Sequence, residues 1–252
     1  MNDLVVSVTT YKKNEALRVF IGTFLEHGDL ERLSHFVICD DDAPTAKEVF
    51  EEFKPAFQGK LRYIGGNRVG IAKNKNRGIL FFRDHTVSKH LILFDDDIMF
   101  TGSGLEQACI DSNWKHVTGY LESESHFFKL FPPFAEDENL WFCGGSQGMF
   151  LYLRRECVEK VGFMPTHLKS IYGFEHDWYS NMINRSFGMH PKYYALLKGC
   201  QNYFTTQQVP NNYQVKNVYE NKKQYNKALQ DMVHKGEGLK VSSPGVTIEV
   251  LE

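Results

Sequence analysis

Three times in the first hundred residues a short aliphatic run ends directly on a polar or acidic cluster, and this repetition constrains the fold more than any other feature of the chain. Leu4-Val-Val-Ser-Val8 gives way to Thr9-Thr10-Tyr11, His35-Phe-Val-Ile-Cys39 to Asp40-Asp41-Asp42, and His90-Leu-Ile-Leu-Phe94 to Asp95-Asp96-Asp97. Apolar, partly β-branched runs of this length read as buried strands. Between them lie stretches with helical spacing at 15–27, closed by Gly28, at 45–57, and at about 70–82 after the Gly65-Gly66 break, with a further strand at 61–64. Strands alternating with helices need right-handed crossovers, which predicts an α/β fold with a mostly parallel central sheet flanked by helices. In such sheets ligands sit beyond the carboxyl ends of the strands, where the connecting loops fan apart. The three polar clusters are therefore expected on one edge.

Beyond Phe100 the alternation loosens. A helix is predicted near 105–112, a strand at 117–121, and then a long loop carrying Pro132-Pro133 and Glu136-Asp137-Glu138. The Gly-rich run Cys143-Gly-Gly-Ser-Gln-Gly148 precedes a strand at 149–153, a helix at about 154–161 and a helix entered at Gly173-Phe-Glu-His-Asp-Trp178. Helical spacing returns at 215–234, and Val246, Ile248 and Val250 alternate like an edge strand. A length of 252 residues suits one sizeable domain. Its expected organisation is an N-terminal half at 1–100, a second half at 101–200 and a C-terminal extension at 201–252.

Composition mainly excludes. With 42% hydrophobic and 24% charged residues the chain is neither disordered nor fibrous. A net charge of -2 gives no global attraction to nucleic acid or anionic lipid. Five scattered cysteines without a C-x-x-C pair argue against a disulfide framework and a structural zinc site. The chain opens without a leader-like segment and holds no apolar run long enough for a membrane span, so a soluble, cytoplasmic protein is expected.

The acidic strand ends carry the chemistry. Three adjacent carboxylates after a buried run repel one another unless a cation sits among them. In an extended turn Asp95 and Asp97 point to the same side, which suits a hard divalent ion such as Mn2+ or Mg2+ that bridges phosphate oxygens. A solvated acidic turn is the plainer alternative, and the second cluster at Asp40-Asp41-Asp42 weighs against it. Gly70-Ile-Ala-Lys-Asn-Lys-Asn-Arg-Gly78 opens a helix whose N-terminus would favour a diphosphate, with Arg68, Lys73, Lys75 and Arg77 in reach; a charged helix face is the alternative for Lys73 and Lys75.

Four of these motifs, Val-Ser-Val-Thr-Thr-Tyr, Ile-Cys-Asp-Asp-Asp, Gly-Ile-Ala-Lys-Asn-Lys-Asn-Arg-Gly and Leu-Phe-Asp-Asp-Asp, stand in the order and approximate spacing of inverting glycosyltransferases of the GT-A fold, family-two-like, which the chain resembles. The segments Gly144-Gly-Ser-Gln-Gly-Met-Phe and Gly173-Phe-Glu-His-Asp-Trp resemble that family's acceptor side and that of galactosyltransferases of the same fold. The resemblance runs over about residues 4–189 and implies a Rossmann-like N-terminal half that binds a nucleotide-sugar donor, with UDP-sugars expected. It further implies that Thr9, Tyr11 and Asp41 hold base and ribose, with Asp40 competing for that role. Arg77 would face the diphosphate, Asp95 and Asp96 would lie at the ribose and metal, and Asp97 would ligate the metal directly, with His190 as a further ligand.

Inverting transfer needs a general base for the acceptor hydroxyl, and the resemblance puts it within Glu175-His176-Asp177. The family's usual Glu-Asp pair reads Glu175-His176 here, so the base stays open among the three. Trp178, Trp141 and Phe142 could stack on sugars or fill the core. The acceptor would be a glycan or another hydroxyl-bearing molecule, with a modified base in nucleic acid disfavoured by the charge. Two rivals remain. A nucleotidyltransferase or sugar-phosphate pyrophosphorylase should carry a Gly-rich loop after the first strand, which Val-Thr-Thr-Tyr-Lys-Lys-Asn lacks. A non-catalytic carbohydrate-binding domain would not need both sets of carboxylates.

Overall fold

The computed structural model describes residues 2–121, 124–166, 174–190, 193–207, 218–235 and 240–252. Its first half follows the predicted alternation: β1 (Leu4–Thr10), α1 (Asn14–His27), β2 (Leu33–Asp40), α2 (Lys47–Phe53) with a 3-10 turn at Lys54–Phe57, β3 (Leu61–Gly65), α3 (Ile71–His85) and β4 (His90–Asp95). Then come β5 (Ile98–Phe100), α4 (Leu105–Asp111), β6 (His116–Gly119), α5 (Glu124–Leu130), β7 (Pro133–Glu136), β8 (Leu140–Cys143) and β9 (Gln147–Arg154). The chain continues through α6 (Arg155–Val161), α7 (Glu175–Ser186), β10 (Tyr194–Leu197), β11 (Phe204–Thr206), α8 (Val218–Lys235) and β12 (Val250–Leu251).

Ten strands form one sheet in the order β12-β3-β2-β1-β4-β9-β6-β10-β8-β7, and β5 pairs with β11 beside it. The expected parallel arrangement covers β3, β2, β1 and β4. Beyond β4 the sheet is mixed: β9 runs antiparallel to both β4 and β6, and β8 antiparallel to β10 and β7. Of these pairs, β7 and β8 are joined by a tight turn at 137–139, a connection open only to antiparallel neighbours. The region read as a long loop around Pro132-Pro133 is thus an edge hairpin. Proline is tolerated as the first residue of an edge strand, where its missing N–H costs nothing, and that hid β7.

Alternation along the central strands sends side chains to two apolar layers. Val6 and Val8 of β1, Phe36 of β2 and Phe94 of β4 pack against Leu17, Phe20 and Phe24 of α1. Val5, Leu91 and Leu93 face the other way, onto Ile79 and Phe82 of α3 and, further along the sheet, onto Trp178, Tyr179 and Met182 of α7. Burying five such side chains contributes on the order of 10 kcal/mol per layer before chain entropy is counted. α3 lies close to β1 because residue 78 is glycine: a Cβ there would sit 2.2 Å from Ser7 Oγ. That approach sets the first turns of α3 at the sheet edge where the polar clusters emerge.

The C-terminal region is built into this frame. β12 closes the β3 edge, with Val250 opposite Ile64; of the alternating tail at Val246, Ile248 and Val250, only Val250 lies in this strand. Val241 exchanges backbone hydrogen bonds with Val161 and Phe163. Among the described residues no helix is long and apolar enough to cross a membrane.

Candidate active site

Strand register brings the clusters together. Thr9 lies opposite Cys39 on one side and Asp95 on the other, and Thr10 lies opposite Asp40. Outside this edge is a cavity of about 470 Å3, lined by Ile71, Asp95, Asp97 and Thr206, by residues 146–149, and by residues 174–177. Its walls place Asp95 and Asp97 in one space with Glu175, His176 and Asp177.

Within the acidic turn the two-residue period decides orientation. Asp95 and Asp97 face the cavity, while Asp96 turns inward, 4% exposed, to accept a 2.7 Å hydrogen bond from Thr10 Oγ1 with Lys13 Nζ at 3.4 Å. Burial pushes the Asp96 carboxyl up to about 7, against the pull of Lys13 and Thr10. Asp96 is accordingly a support of the turn, not the donor contact predicted for it. Asp97 is also raised, by burial first and then by the charge of Asp95. Thr9 donates to Phe94 O and Asp95 Oδ1 at 3.2 and 3.3 Å, so its hydroxyl positions Asp95. From the far end of the chain, Gln207 clasps the same turn: its backbone N–H reaches Asp97 O at 2.7 Å and its side chain reaches Ala16 O and Ile98 O.

The second cluster proves structural. Asp40 is fully buried and accepts from the N–H groups of Asp42 and Ala46 and from Tyr63 Oη. Asp41 accepts from the N–H groups of Val69 and Gly70 at 2.8 and 3.0 Å, fixing the entry to α3. Burial raises its carboxyl, and those two bonds with Arg77 and Arg68 oppose the rise. Arg77, 3% exposed, donates to Asp40 O, Asn74 Oδ1 and Asn67 O and lies 3.5 Å from Asp41. It clamps the loops after β2 and β3 and does not face the cavity as predicted. Buried backbone N–H groups need acceptors, and Asp40 and Asp41 supply them. Tyr11 is half-buried beneath the Arg68 guanidinium, 4.5 Å from its ring centre.

Lys75 is the cation of the crevice. It is 1% exposed, and its ammonium lies 3.0 Å from Asp95 Oδ1 and donates to Gly148 O at 3.0 Å. The sequence left it open between the diphosphate and a charged helix face. Lys13, unforeseen, sits between Asp96 and Asp97.

On the opposite wall α7 begins at Glu175, which is buried. His176 Nδ1 lies 3.8 Å from Glu175 Oε1 and Nε2 lies 3.5 Å from Asp177 Oδ2. Burial alone would lower the imidazole, but Asp177 and Glu175 outweigh it and hold it above its ordinary value. Glu175 shows the counterpart: burial would raise it, and its hydrogen bond with His176, the charge of His176 and Lys75 bring it below. The ring rests on Gly148, where an added Cβ would come within 2.4 Å of Nδ1. His190 is exposed beyond the other end of α7, whose 12 residues span roughly 18 Å, so it does not join Asp95 and Asp97. Trp178 and Phe142 belong to the two apolar layers and Trp141 packs against one of them. Gly173 lies outside the described residues.

No protein-family model and no curated protein matches this sequence. Solved structures do match. TarS of S. aureus aligns over 92% of this chain with a TM-score of 0.64 at 11% identity, and the mannosyltransferase PcManGT of Pyrobaculum calidifontis over 84% with 0.60 at 16%. GalNAc-T7 aligns over 78% with 0.59 at 12%. This chain has the GT-A fold. It spans 40% of TarS, 58% of PcManGT and 44% of GalNAc-T7. Structures of those GT-A proteins hold UDP-GlcNAc or UDP in TarS, GDP-Man and Mn2+ in PcManGT, and UDP, GalNAc and Mn2+ in GalNAc-T7.

Proposed function

We propose that the chain is a glycosyltransferase that moves a sugar from a nucleotide-diphosphate sugar, with UDP-sugars as the expected donors, to an acceptor hydroxyl with inversion at the anomeric carbon. One observation carries this reading: Asp95 and Asp97 share a single cavity with Glu175, His176 and Asp177. Inverting transfer requires that opposition, with the leaving diphosphate on one side of the sugar and the proton acceptor on the other.

The donor set suits a divalent ion of the Mn2+ or Mg2+ kind. Such ions are held by one or two carboxylates together with substrate phosphates. Asp95 and Asp97 provide two, and among the described residues no cluster of three or more His, Cys, Asp or Glu side chains is arranged to hold a metal unaided. The Asp97 carboxyl is raised by burial first and then by the charge of Asp95, and a cation between the two would relieve that second part. A bound ion would neutralise charge on the departing diphosphate.

The chain's own groups do the rest. Lys75 holds Asp95 in place and adds positive charge on the diphosphate side. Tyr11, with Arg68 over it, offers a face for the nucleobase. His176 takes the acceptor's proton at an imidazole nitrogen, and Glu175 and Asp177 hold the ring and stabilise the imidazolium that results.

The test is direct. With Mn2+ present, the protein should slowly release UDP or GDP from at least one of UDP-glucose, UDP-galactose, UDP-GlcNAc, UDP-GalNAc and GDP-mannose without any acceptor, and chelation should stop the release. No release from any donor, together with no metal-dependent binding of UDP or GDP, would remove the proposal.

A further inference from the structure

The chemistry described so far leaves α8 without a task, yet this helix packs against α7, which carries Glu175, His176 and Asp177. Arg185 Nε of α7 donates to Met232 O at 3.3 Å, and Asn181 Nδ2 donates to Tyr225 Oη at 2.7 Å. Both α8 residues are buried. Where α7 begins, at the cavity wall, the backbone is strained. Among the described residues four other than glycine have positive φ, and three of them, Lys12, Gln58 and Asn113, are exposed polar residues outside helices and strands. The fourth is the half-buried Phe174, at φ 68° and ψ 0°, immediately before α7 and lining the cavity. A bulky side chain in the left-handed region crowds its own backbone, so the conformation persists only where the surroundings enforce it.

Tyr225 supplies that enforcement. Its ring stacks on the Phe174 ring, with centroids 5.3 Å apart and planes at 20°, an arrangement lost if either ring swings away. Tyr225 cannot follow such a swing, because it is 6% exposed and its hydroxyl is tied to the fully buried Asn181. The carbonyl of Phe174 accepts the N–H of Trp178 at 3.0 Å, which closes the first turn of α7 over Glu175, His176 and Asp177. The torsions of Phe174 thus set the direction in which those three side chains leave the helix. A second line of contact runs through Tyr194 of β10, whose hydroxyl hydrogen-bonds with Tyr225 and Asp177. Burial first, and then the charge of Asp177, push both phenols up, so they stay protonated beside that carboxylate.

We propose that Tyr225 is a positioning residue for His176: its ring holds Phe174 in the left-handed conformation, and this aims the first turn of α7 at the space shared with Asp95 and Asp97. The role in catalysis rests on the transferase reading above. Tyr225 does not itself line the cavity, so it acts on the imidazole only through Phe174 and Asp177.

Two readings on the whole protein test this. Without any donor, amide exchange over residues 175–178 should quicken roughly tenfold in Tyr225→Ala, because the strained turn is no longer held, and stay within about threefold of the parent in Tyr225→Phe, which keeps the ring. With donor and Mn2+, Tyr225→Ala should lower the turnover number about a hundredfold while UDP affinity stays within about twofold, and Tyr225→Phe should lose less than about fivefold. Rescue separates positioning from general packing. Glycine takes a positive φ without steric cost, so in a Phe174→Gly background Tyr225→Ala should cost less than about fivefold further, whereas a packing role predicts the same loss in both backgrounds. Should Tyr225→Ala unfold, Tyr225→Leu, which fills the volume without a flat ring, takes its place in each comparison. The proposal is overturned if exchange and turnover match the parent after the ring is removed, if Tyr225→Phe falls as far as Tyr225→Ala, or if the loss is equal in the Phe174→Gly background. Absence of hydrolysis with every donor in the parent protein sinks the transferase reading, and the exchange comparison, which needs no donor, still upholds or overturns the hold of Tyr225 on α7.

Discussion

Alanine at position 148 should disable the site while leaving the fold and the donor end intact. Gly148 has no positive φ, so an L-residue meets no backbone strain there, and whatever follows comes from the Cβ. That atom would lie 2.4 Å from Nδ1, 2.5 Å from Cγ and 2.8 Å from Cε1 of His176. Ordinary carbon contacts settle near ~3.5 Å, so the ring must withdraw by about 1 Å. The cavity gives it room to do so. Withdrawal alters its separations of 3.8 and 3.5 Å from Glu175 and Asp177, which hold its orientation and its proton affinity. A misplacement of that size costs about 10²-fold in rate when the group acts in the transition state. The hydrogen bond from Lys75 to Gly148 O involves the backbone and survives. Gly148→Ala should then lower the turnover number about a hundredfold, leave the affinity for UDP in Mn2+ within about twofold, and shift Tm by no more than ~4 °C, corresponding to about 1 kcal/mol. Steady-state transfer or donor hydrolysis, calorimetry with UDP and a thermal melt provide the three readings. A turnover number within threefold of the parent would refute the placement of His176 in the chemistry, and an equal loss of UDP affinity would move it to the donor site.

Other expectations follow from the same geometry. Asp97→Asn should abolish the Mn2+-dependent part of UDP binding, as read by calorimetry, without lowering stability in metal-free buffer, since it relieves carboxylate crowding; unchanged affinity in Mn2+ would count against the metal site. His176 must be neutral to accept a proton, and Asp177 and Glu175 hold it protonated to higher pH than usual despite its burial, so activity should fall as pH drops through a value above ~6.5. His176→Asn should lose that limb along with most activity, and a limb that persists in the variant would assign the base to a carboxylate. Asp41→Ala strips acceptors from two backbone N–H groups and a partner from Arg77, and should cost about 2–4 kcal/mol in urea unfolding. A cost below ~1 kcal/mol, with uridine binding specifically weakened, would return Asp41 to the nucleoside role that the sequence suggested.

Much of this arrangement was legible beforehand because it follows from periodicity. Aliphatic runs ending on polar clusters located β1, β2 and β4, and the two-residue period put Asp95 and Asp97 on one side; the inward turn of Asp96 follows from the same period but was not drawn from it. The second acidic cluster misled for a physical reason: a carboxylate at a strand end can turn to a ligand or to unpaired N–H groups of the next loop, and residue order does not distinguish the two. Arg77 failed with it, since a buried arginine follows its acceptors. For Lys75 the sequence could have decided between the site and a solvent face. Lys75 stands three, four and seven positions before Gly78, Ile79 and Phe82, so it shares the stripe of α3 that faces the sheet, and a lysine at the head of a buried stripe needs an anion. His190 could have been set aside by counting helix rise from Glu175. Lys13 left no such trace, because its position depends on how the loop after β1 bends.

The clasp of Gln207 on the acidic turn has a consequence in time. Asp96 and Gln207 are 111 residues apart in the chain, and Ala16 and Gln207 are 191 apart. The four parallel strands can assemble while the chain is still being made, but the turn bearing Asp95 and Asp97 cannot be locked until β11 has left the ribosome and paired with β5. At about 5–20 residues per second, that is a delay of roughly 6–20 seconds after the aspartates themselves are synthesised. A nascent chain ending near residue 200 would carry a nearly finished sheet and an unsecured acidic turn, so competence for chemistry should arrive only with the last fifth of the sequence.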